Sequence, residues 1–236
     1  MKKLLIVLLG IMTSAGIHAQ QVNDPNAELR EATNFHAITL SHAFDVYIIQ
    51  GNEEAVAVSA SETKYRDRIK VEVRDGILSI SYDNEGKWST GNKKLKAYVS
   101  LKKIDKLTVS GACDVFITGG LKAGDLTINQ SGASDLKGKI DVQNLIVDLS
   151  GASDMSVTGT ATRVTVEANG ASDFKGFDLV TDYCDVRASG ASDIHITVNK
   201  ELSAHASGAS DVQYKGAAVI KDLKTSGASS VSRTKS

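Results

Sequence analysis

A five-residue signature, Ser/Asn-Gly-Ala-Ser-Asp, returns seven times, at residues 110–114, 131–135, 150–154, 169–173, 189–193, 207–211 and 226–230. Asn opens it once, at Asn169, and it is broken only at Cys113 and Ser230. Its glycines stand at 111, 132, 151, 170, 190, 208 and 227, so successive copies lie 18 to 21 residues apart. A near-constant period of this length is the mark of a solenoid, in which each repeat is one turn that cannot bury its apolar face until a neighbour stacks on it.

Aligned on the glycine, the repeats alternate. Four residues before it stand Leu107, Ile128, Val147, Val166, Val186, Ala204 and Leu223, and four after it Val115, Leu136, Met155, Phe174, Ile194, Val212 and Val231. Two before it the column runs Val109, Gln130, Leu149, Ala168, Ala188, Ala206 and Thr225, mostly apolar. Three before it the column is polar, passing from Asp148 and Glu167 to Arg187, His205 and Lys224. Period-two alternation in short runs means strands with one buried face. Each repeat is therefore expected to supply two strands, one on either side of a Gly-Ala corner where glycine gives a positive φ or close packing between coils. A second turn is expected at segments such as 137–139 and 175–177. Identical strands stacked in register form parallel sheets, and parallel crossovers are right-handed. The predicted fold is an all-β, right-handed parallel β-helix of about seven coils of ~19 residues, roughly 34 Å long at ~4.8 Å per coil.

The region before the repeats is less periodic. Residues 44–49, 55–59, 69–73, 77–82 and 95–100 read as strands, and Arg-Asp-Gly at 74–76 as a hairpin turn. Residues 29–106 are read as longer, decorated first coils that cap the stack, followed by the repeat coils at 107–236. Ser-His-Ala-Phe-Asp at 41–45 is a degenerate echo of the signature. Residues 20–28 are read as a flexible leader, and 83–94 as a polar loop carrying Trp88, the chain's single tryptophan.

Lys2 and Lys3, the apolar run at 4–12 and the small residues at 13–19 form a signal-peptide pattern with cleavage after Ala19. That pattern predicts export to the periplasm, the cell surface or the medium. No later stretch is apolar enough to span a bilayer as a helix. The 27 Lys and Arg face 28 Asp and Glu, which leaves no basic excess for nucleic acid. Cys113 and Cys184 occupy different repeat positions three coils apart, beyond the reach of a disulfide, and read as small core or turn residues.

The sharpest candidate site is the acidic column Asp114, Asp135, Asp154, Asp173, Asp193 and Asp211, broken by Ser230. As a cation ridge it would offer carboxylates to Ca²⁺. As a structural device, each Asp or Ser would bond backbone N–H groups of its own corner. Neighbouring carboxylates ~5 Å apart repel by about 1 kcal/mol in water, less with salt. A charge-assisted bond to backbone returns roughly 1.5–3 kcal/mol, so the column can stand without metal and no cofactor is required. Trp88 with Lys93 and Lys94 is a second candidate, a loop contact for a glycan or a protein. The polar column ending in Arg187, His205 and Lys224 is a solvated face that can also orient a partner.

Catalytic motifs fail on spacing. A nucleophile elbow needs glycine two places after its serine, where this chain has Leu136, Met155, Phe174, Ile194 and Val212. Gly132 to Lys139 has one residue too many for a phosphate loop, and Ile140 stands where Ser or Thr belongs. His36, His42, His195 and His205 show no metal-ligand spacing.

The Phe-Asp-Val-Tyr-Ile-Ile-Gln-Gly element at 44–51, Asp-Gly-Ile-Leu-Ser-Ile at 75–80, Lys-Leu-Thr-Val-Ser-Gly-Ala-Cys-Asp at 106–114 and the later Gly-Ala-Ser-Asp corners together resemble the "putative auto-transporter adhesin, head GIN domain" family over roughly residues 35–230. The resemblance implies an exported β-helical module with an adhesive role, and it carries over no catalytic residues. The 236 residues leave no room for a membrane barrel, so self-transport is not expected.

The leading expectation is an exported, non-enzymatic binding or structural module of the cell envelope that meets a surface glycan or protein. The competing expectation is a carbohydrate-active β-helix enzyme, such as a Ca²⁺-dependent polysaccharide lyase, which needs acids and a basic residue converging from adjacent coils. Residues 226–236 show no evident cap, and self-association through that strand edge is expected.

Overall fold

The computed structural model describes residues 24–84 and 93–234; the signal-peptide pattern and Trp88 lie outside them. The first half of the chain contains β1 (Glu28–Arg30), β2 (Ala37–Leu40), β3 (Asp45–Gln50), β4 (Ala55–Ser59), one helical turn α1 (Thr63–Arg66), β5 (Ile69–Arg74), β6 (Ile77–Tyr82) and β7 (Lys96–Leu101). Then come β8 (Lys106–Val109), β9 (Asp114–Gln130), β10 (Asp135–Leu149), β11 (Asp154–Ala168) and β12 (Asp173–Ala188). The chain closes with β13 (Asp193–Gly208), β14 (Asp211–Lys215), β15 (Val219–Gly227) and β16 (Ser230–Arg233).

From β9 to β16 each strand pairs in parallel with the equivalent strand one repeat on, and the glycine-aligned columns are the observed register. The result is a parallel β-solenoid of about seven turns. The apolar columns fill its axis: Leu107, Ile128, Val166, Val186 and Ala204 in one, Leu136, Met155, Phe174, Ile194 and Val212 in another are all fully buried. Gln130 is the polar exception in an inward column. It is buried and its Nε2 donates to the carbonyls of Ser134 and Asp154, tying two coils together.

A coil has three inward-facing runs where the alternation suggests two. In β10 the runs paired with β9 are 135–138, 140–142 and 144–149; against β11 the first two join through Lys139, and Gln143 has no partner on either neighbour. Leu121, Ile140 and Leu179 head the middle run and are buried. Two consecutive exposed residues, Gln143 and Asn144, turn the chain between the second and third runs. The expected turns at Gly138 and Gly176 are likewise different in kind. Neither glycine has positive φ, and each is small because a Cβ would meet Ile117 Cβ or the Phe174 ring at 2.4 Å.

The corner glycines do carry positive φ, from 77° at Gly227 to 89° at Gly111. A Cβ on Gly132, Gly151, Gly170, Gly190, Gly208 or Gly227 would lie 2.3–2.7 Å from the preceding glycine's carbonyl oxygen. That oxygen accepts the next coil's alanine N–H, as in Ala171 to Gly151 at 2.8 Å and Ala191 to Gly170 at 2.7 Å. Only a residue without a side chain allows the corners to approach this closely.

The N-terminal region lays its coils out of sequence order. β2 and β3 form a coil in register with the repeats, and β6 and β7 stack on its outer side. The chain then returns to the inner side, where β8 and β9 pair with β2 and β3. The outer coil is closed by antiparallel strands: β5 on β6, β4 on β7 and β1 on β4. Asp75 (φ 51°) and Gly76 (φ 75°) make the expected hairpin turn between β5 and β6. Glu28, expected at the end of a flexible leader, opens β1, and Asp24 accepts a hydrogen bond from Tyr98 Oη at 2.9 Å. This anchoring was invisible because Asp24 and Tyr98 lie far apart in sequence.

The corner geometry predicts a sharp contrast. Gly170→Ala is expected to cost roughly 2–4 kcal/mol, from left-handed backbone strain plus the clash with the Gly151 carbonyl. Gly124→Ala, with open space around its Cβ, is expected to stay within about 0.5 kcal/mol of the parent. Urea unfolding of the two variants checks both; equal midpoints would refute the close-contact account.

Candidate functional site

The corner sequence divides its work between serine and aspartate. The serines are fully buried at 134, 153, 172, 192 and 210, and each donates its hydroxyl to the carbonyl three residues earlier. The last two also reach the previous coil, at Ala168 and Ala188. The aspartates take part through their backbone, donating N–H to the previous coil's corner carbonyl, as from Asp154 to Ser134 at 3.0 Å. Serine, not aspartate, is thus the side chain that ties the corner, and it does so as a donor.

The aspartate side chains form the expected outward ladder, and the register lengthens it. Asp45, in the degenerate echo, pairs with Asp114, so the column runs Asp45, Asp114, Asp135, Asp154, Asp173, Asp193, Asp211. Lys96 stands beside Asp45 at one end; at the other, Ser230 Oγ donates to Asp211 at 2.7 Å. In the middle, Lys175 Nζ bridges Asp154 at 3.0 Å and Asp173 at 3.3 Å, and the bond to Asp154 raises the lysine's pKa. Burial, then the charges of Asp135 and Asp45, push the Asp114 carboxyl above the usual range. Among the described residues no three His, Cys, Asp or Glu side chains converge as around a metal ion.

The other expected residues are dispersed. Lys93 lies over the Tyr82 ring at 4.5 Å, and Lys94 is exposed with φ 47°. His36 bonds Asp105 at 2.8 Å, and His195 stacks on Phe177 at 4.8 Å. Cys113 and Cys184 are free and buried, and burial raises both thiol pKa values. A stack of Tyr98, Tyr47 and Phe116, each step 5.3 Å, follows the register beside the ladder. Both faces of Tyr47 are covered by its neighbours, so this stack presents mainly edges to solvent. Its members lie on three strands, and only the register brings them together.

One surface does gather varied chemistry. An open groove of about 510 Å³ runs over four successive coils at the C-terminal end of the stack. One wall is the column three before the glycine: Glu167, Arg187, His205 and Lys224. The other lies one before the glycine: Asn169, Ser189, Ser207 and Ser226. Short hydroxyls beside long charged side chains leave the depression between them. Arg187 Nη1 donates to Glu167 at 3.2 Å, Ser189 Oγ to Asn169 Oδ1 at 2.6 Å. His205 Nε2 and Lys224 Nζ meet Asp222 at 2.8 and 2.9 Å. The His205 bond, then Lys224, holds the Asp222 carboxyl below its ordinary range. Glu167 beside Arg187 was expected from the alignment; the depression, which needs both columns, was not.

The chain is thus a parallel β-solenoid closed at one end, with an outward polar groove near the other. The model of the "Putative auto-transporter adhesin, head GIN domain" family matches residues 34–218, and the chain belongs to this family. Its fold is shared with a "putative adhesin" of Bacteroides fragilis: 22% identity, TM-score 0.81, covering 88% of this chain and 96% of that one. A "putative adhesin" of Parabacteroides merdae is 18% identical with TM-score 0.71, over 89% and 95% of the two chains. A "Putative lipid binding protein" of Parabacteroides distasonis is 22% identical with TM-score 0.66, over 89% and 97%. Comparison with curated proteins gives no match. Among the described residues no helix is long and apolar enough to cross a membrane.

The ladder yields a pH prediction. A carboxyl whose pKa is higher folded than unfolded binds its proton more tightly in the native state. Stability therefore falls as pH rises from the unfolded value, about 3.9, through the folded one, and the penalty is complete at neutral pH. Asp114→Asn is expected to raise the melting temperature at neutral pH, with the gain vanishing below the unfolded pKa. Melting with and without millimolar Ca²⁺ checks the alternative: a Ca²⁺-dependent rise in the parent, lost in the variant, would make the ladder a cation ridge.

Proposed function

We propose that the protein is an exported, non-enzymatic binding module of the cell envelope, an adhesin-like head whose ligand is a hydroxyl-rich glycan lying along the groove. Export rests on the basic, apolar and small-residue pattern of residues 2–19. The observation that carries the binding reading is the groove itself. It follows the stack across four coils at a column whose identity changes from Glu167 to Arg187, His205 and Lys224, while the corners stay constant. A polymer laid along the stack meets each coil in turn and reads a different side chain at each.

The groove's charges nearly cancel, since Glu167 faces Arg187 and Asp222 faces His205 and Lys224. Such a lining favours an uncharged or weakly charged ligand rich in donors and acceptors. Exposed ion pairs are worth only about 0–1 kcal/mol, so sugar hydroxyls can replace them at little cost.

The lyase reading finds acids and bases on adjacent coils here, and that is its support. Against it, a carboxylate held below its ordinary pKa, as Asp222 is, makes a poor general base, and His205 Nε2 is engaged by it. The groove is also open, without the water-excluding walls that strengthen catalytic electrostatics.

The test is a glycan array with the processed chain, followed by titration of any hit. Arg187→Ala combined with His205→Ala is expected to weaken binding tenfold or more, about 1.4 kcal/mol, while Lys137→Ala on the ladder face leaves it unchanged. Equal weakening by both would place the ligand elsewhere. Turnover of anionic glycans would replace this reading with the lyase; exclusive binding to lipid vesicles would replace it with a lipid-binding one.

A further inference from the structure

The two ends of the solenoid differ. At the N-terminal end the outermost strands are β1, three residues long, with Leu29 exposed and Glu28 ion-paired to Arg66 at 2.7 Å, and β5, along which the exposed Lys70, Glu72 and Arg74 alternate. Edges that are short or studded with charges resist pairing. At the other end β15 pairs only with β13, and β16 only with β14, among the described residues. The inward column that is fully buried at Val166, Val186 and Ala204 reaches Leu223, which is 44% exposed, beside Ile220 at 39% and Val219 at 68%. Leu223 and Ile220 continue the buried positions of Ala204 and Leu202 but lack a covering coil, and Val219 continues the outward position of Glu201 beside them.

We propose that this edge pairs with a second copy of the chain, β15 against β15 in antiparallel register about a two-fold axis at Leu223. The register follows from the charges. Asp222 and Lys224 flank Leu223, and both point outward, in line with Ser203 and His205 of the preceding coil. Antiparallel pairing centred on Leu223 sets Asp222 of each copy opposite Lys224 of the other, giving two cross-strand ion pairs on one face. On the inner face Leu223 meets its twin. Thr225 falls opposite Ile220 and Lys221, where β15 carries an extra residue in its register with β13. A register centred on either neighbouring residue instead sets Asp222 or Lys224 against its own copy and opposes Leu223 to Lys221 or Thr225. Cross-strand pairs of opposite charge stabilise, like charges opposed do not, and a two-fold contact closes without polymerising.

Sedimentation velocity of the processed chain over two orders of magnitude in concentration is the measurement. The expected result is a monomer that doubles its mass as concentration rises and goes no further. Leu223→Lys and Asp222→Lys should each leave a monomer with an unchanged circular-dichroism spectrum. The double exchange Asp222→Lys with Lys224→Asp should restore the dimer, because each copy again presents complementary charges about the axis. A parent that stays monomeric, a dimer indifferent to these changes, a double exchange that fails to restore it, or open-ended oligomers would each overturn the proposal. Mass is read without ligand, so this outcome is independent of the groove's.

Discussion

The contact between successive corner glycines governs the architecture of this molecule. Each carbonyl in the column takes the next coil's alanine N–H at 2.6–2.8 Å, in a space that no Cβ could share. Because the glycine is the same residue of every repeat, this bond sets the register to a whole repeat. Everything else in the coil is then stacked like on like. Apolar columns become the continuous core, and the third corner position becomes a file of buried serines that hold their turns by short-range bonds. His42 shows where the rule relaxes. It heads the column with φ 81°, and its own carbonyl accepts Ala112 N–H at 2.6 Å, so the contact survives while the imidazole accepts the Tyr82 N–H.

Stacking like on like has an electrostatic cost, visible in the aspartate file. Seven carboxylates in one column repel one another, and at Asp114, between two of them, this repulsion adds to burial in raising the pKa. The arrangement persists because the groups are at least partly exposed, where each repulsion is about 1 kcal/mol or less. Lys175 and the flanking Lys96 and Ser230 soften it further. The file is therefore a by-product of register as much as a feature with its own purpose. The structure gives the turn-tying role to serine, which the sequence pattern credits equally to aspartate.

Much of the fold was legible because its signals are local and repeated. The corner glycines, both apolar columns flanking them and the hairpin at Asp75 and Gly76 could be read directly. The middle run of each coil could not: it spans about three residues, such as 140–142, too few for an alternation to register, and Gln143 and Asn144 break the phase behind it. The anchoring of Asp24 by Tyr98 and the stacking of Tyr47 on Tyr98 and Phe116 depend on coils laid out of sequence order, which no periodicity encodes. Of the site, the changing column at Glu167, Arg187 and His205 was visible as chemistry. Its depth was not, since that depends on small serines one position before each glycine lying beside long side chains.

Solenoid construction also separates the residues that fold the chain from those that can recognise a ligand. An inward or corner substitution disturbs two interfaces at once, because each coil packs on the one before and the one after. An outward substitution at Arg187 or Lys224 removes an exposed pair worth at most about 1 kcal/mol. Residue identity in the groove is thus nearly free of folding constraint, and a column that changes from coil to coil costs the scaffold little. The C-terminal coil is the exception, because there an inward residue faces solvent. Leu223 has core chemistry without core burial, so the free energy available at that end can be recovered by association with another strand, whereas the antiparallel N-terminal end presents edges that are short or lined with charges.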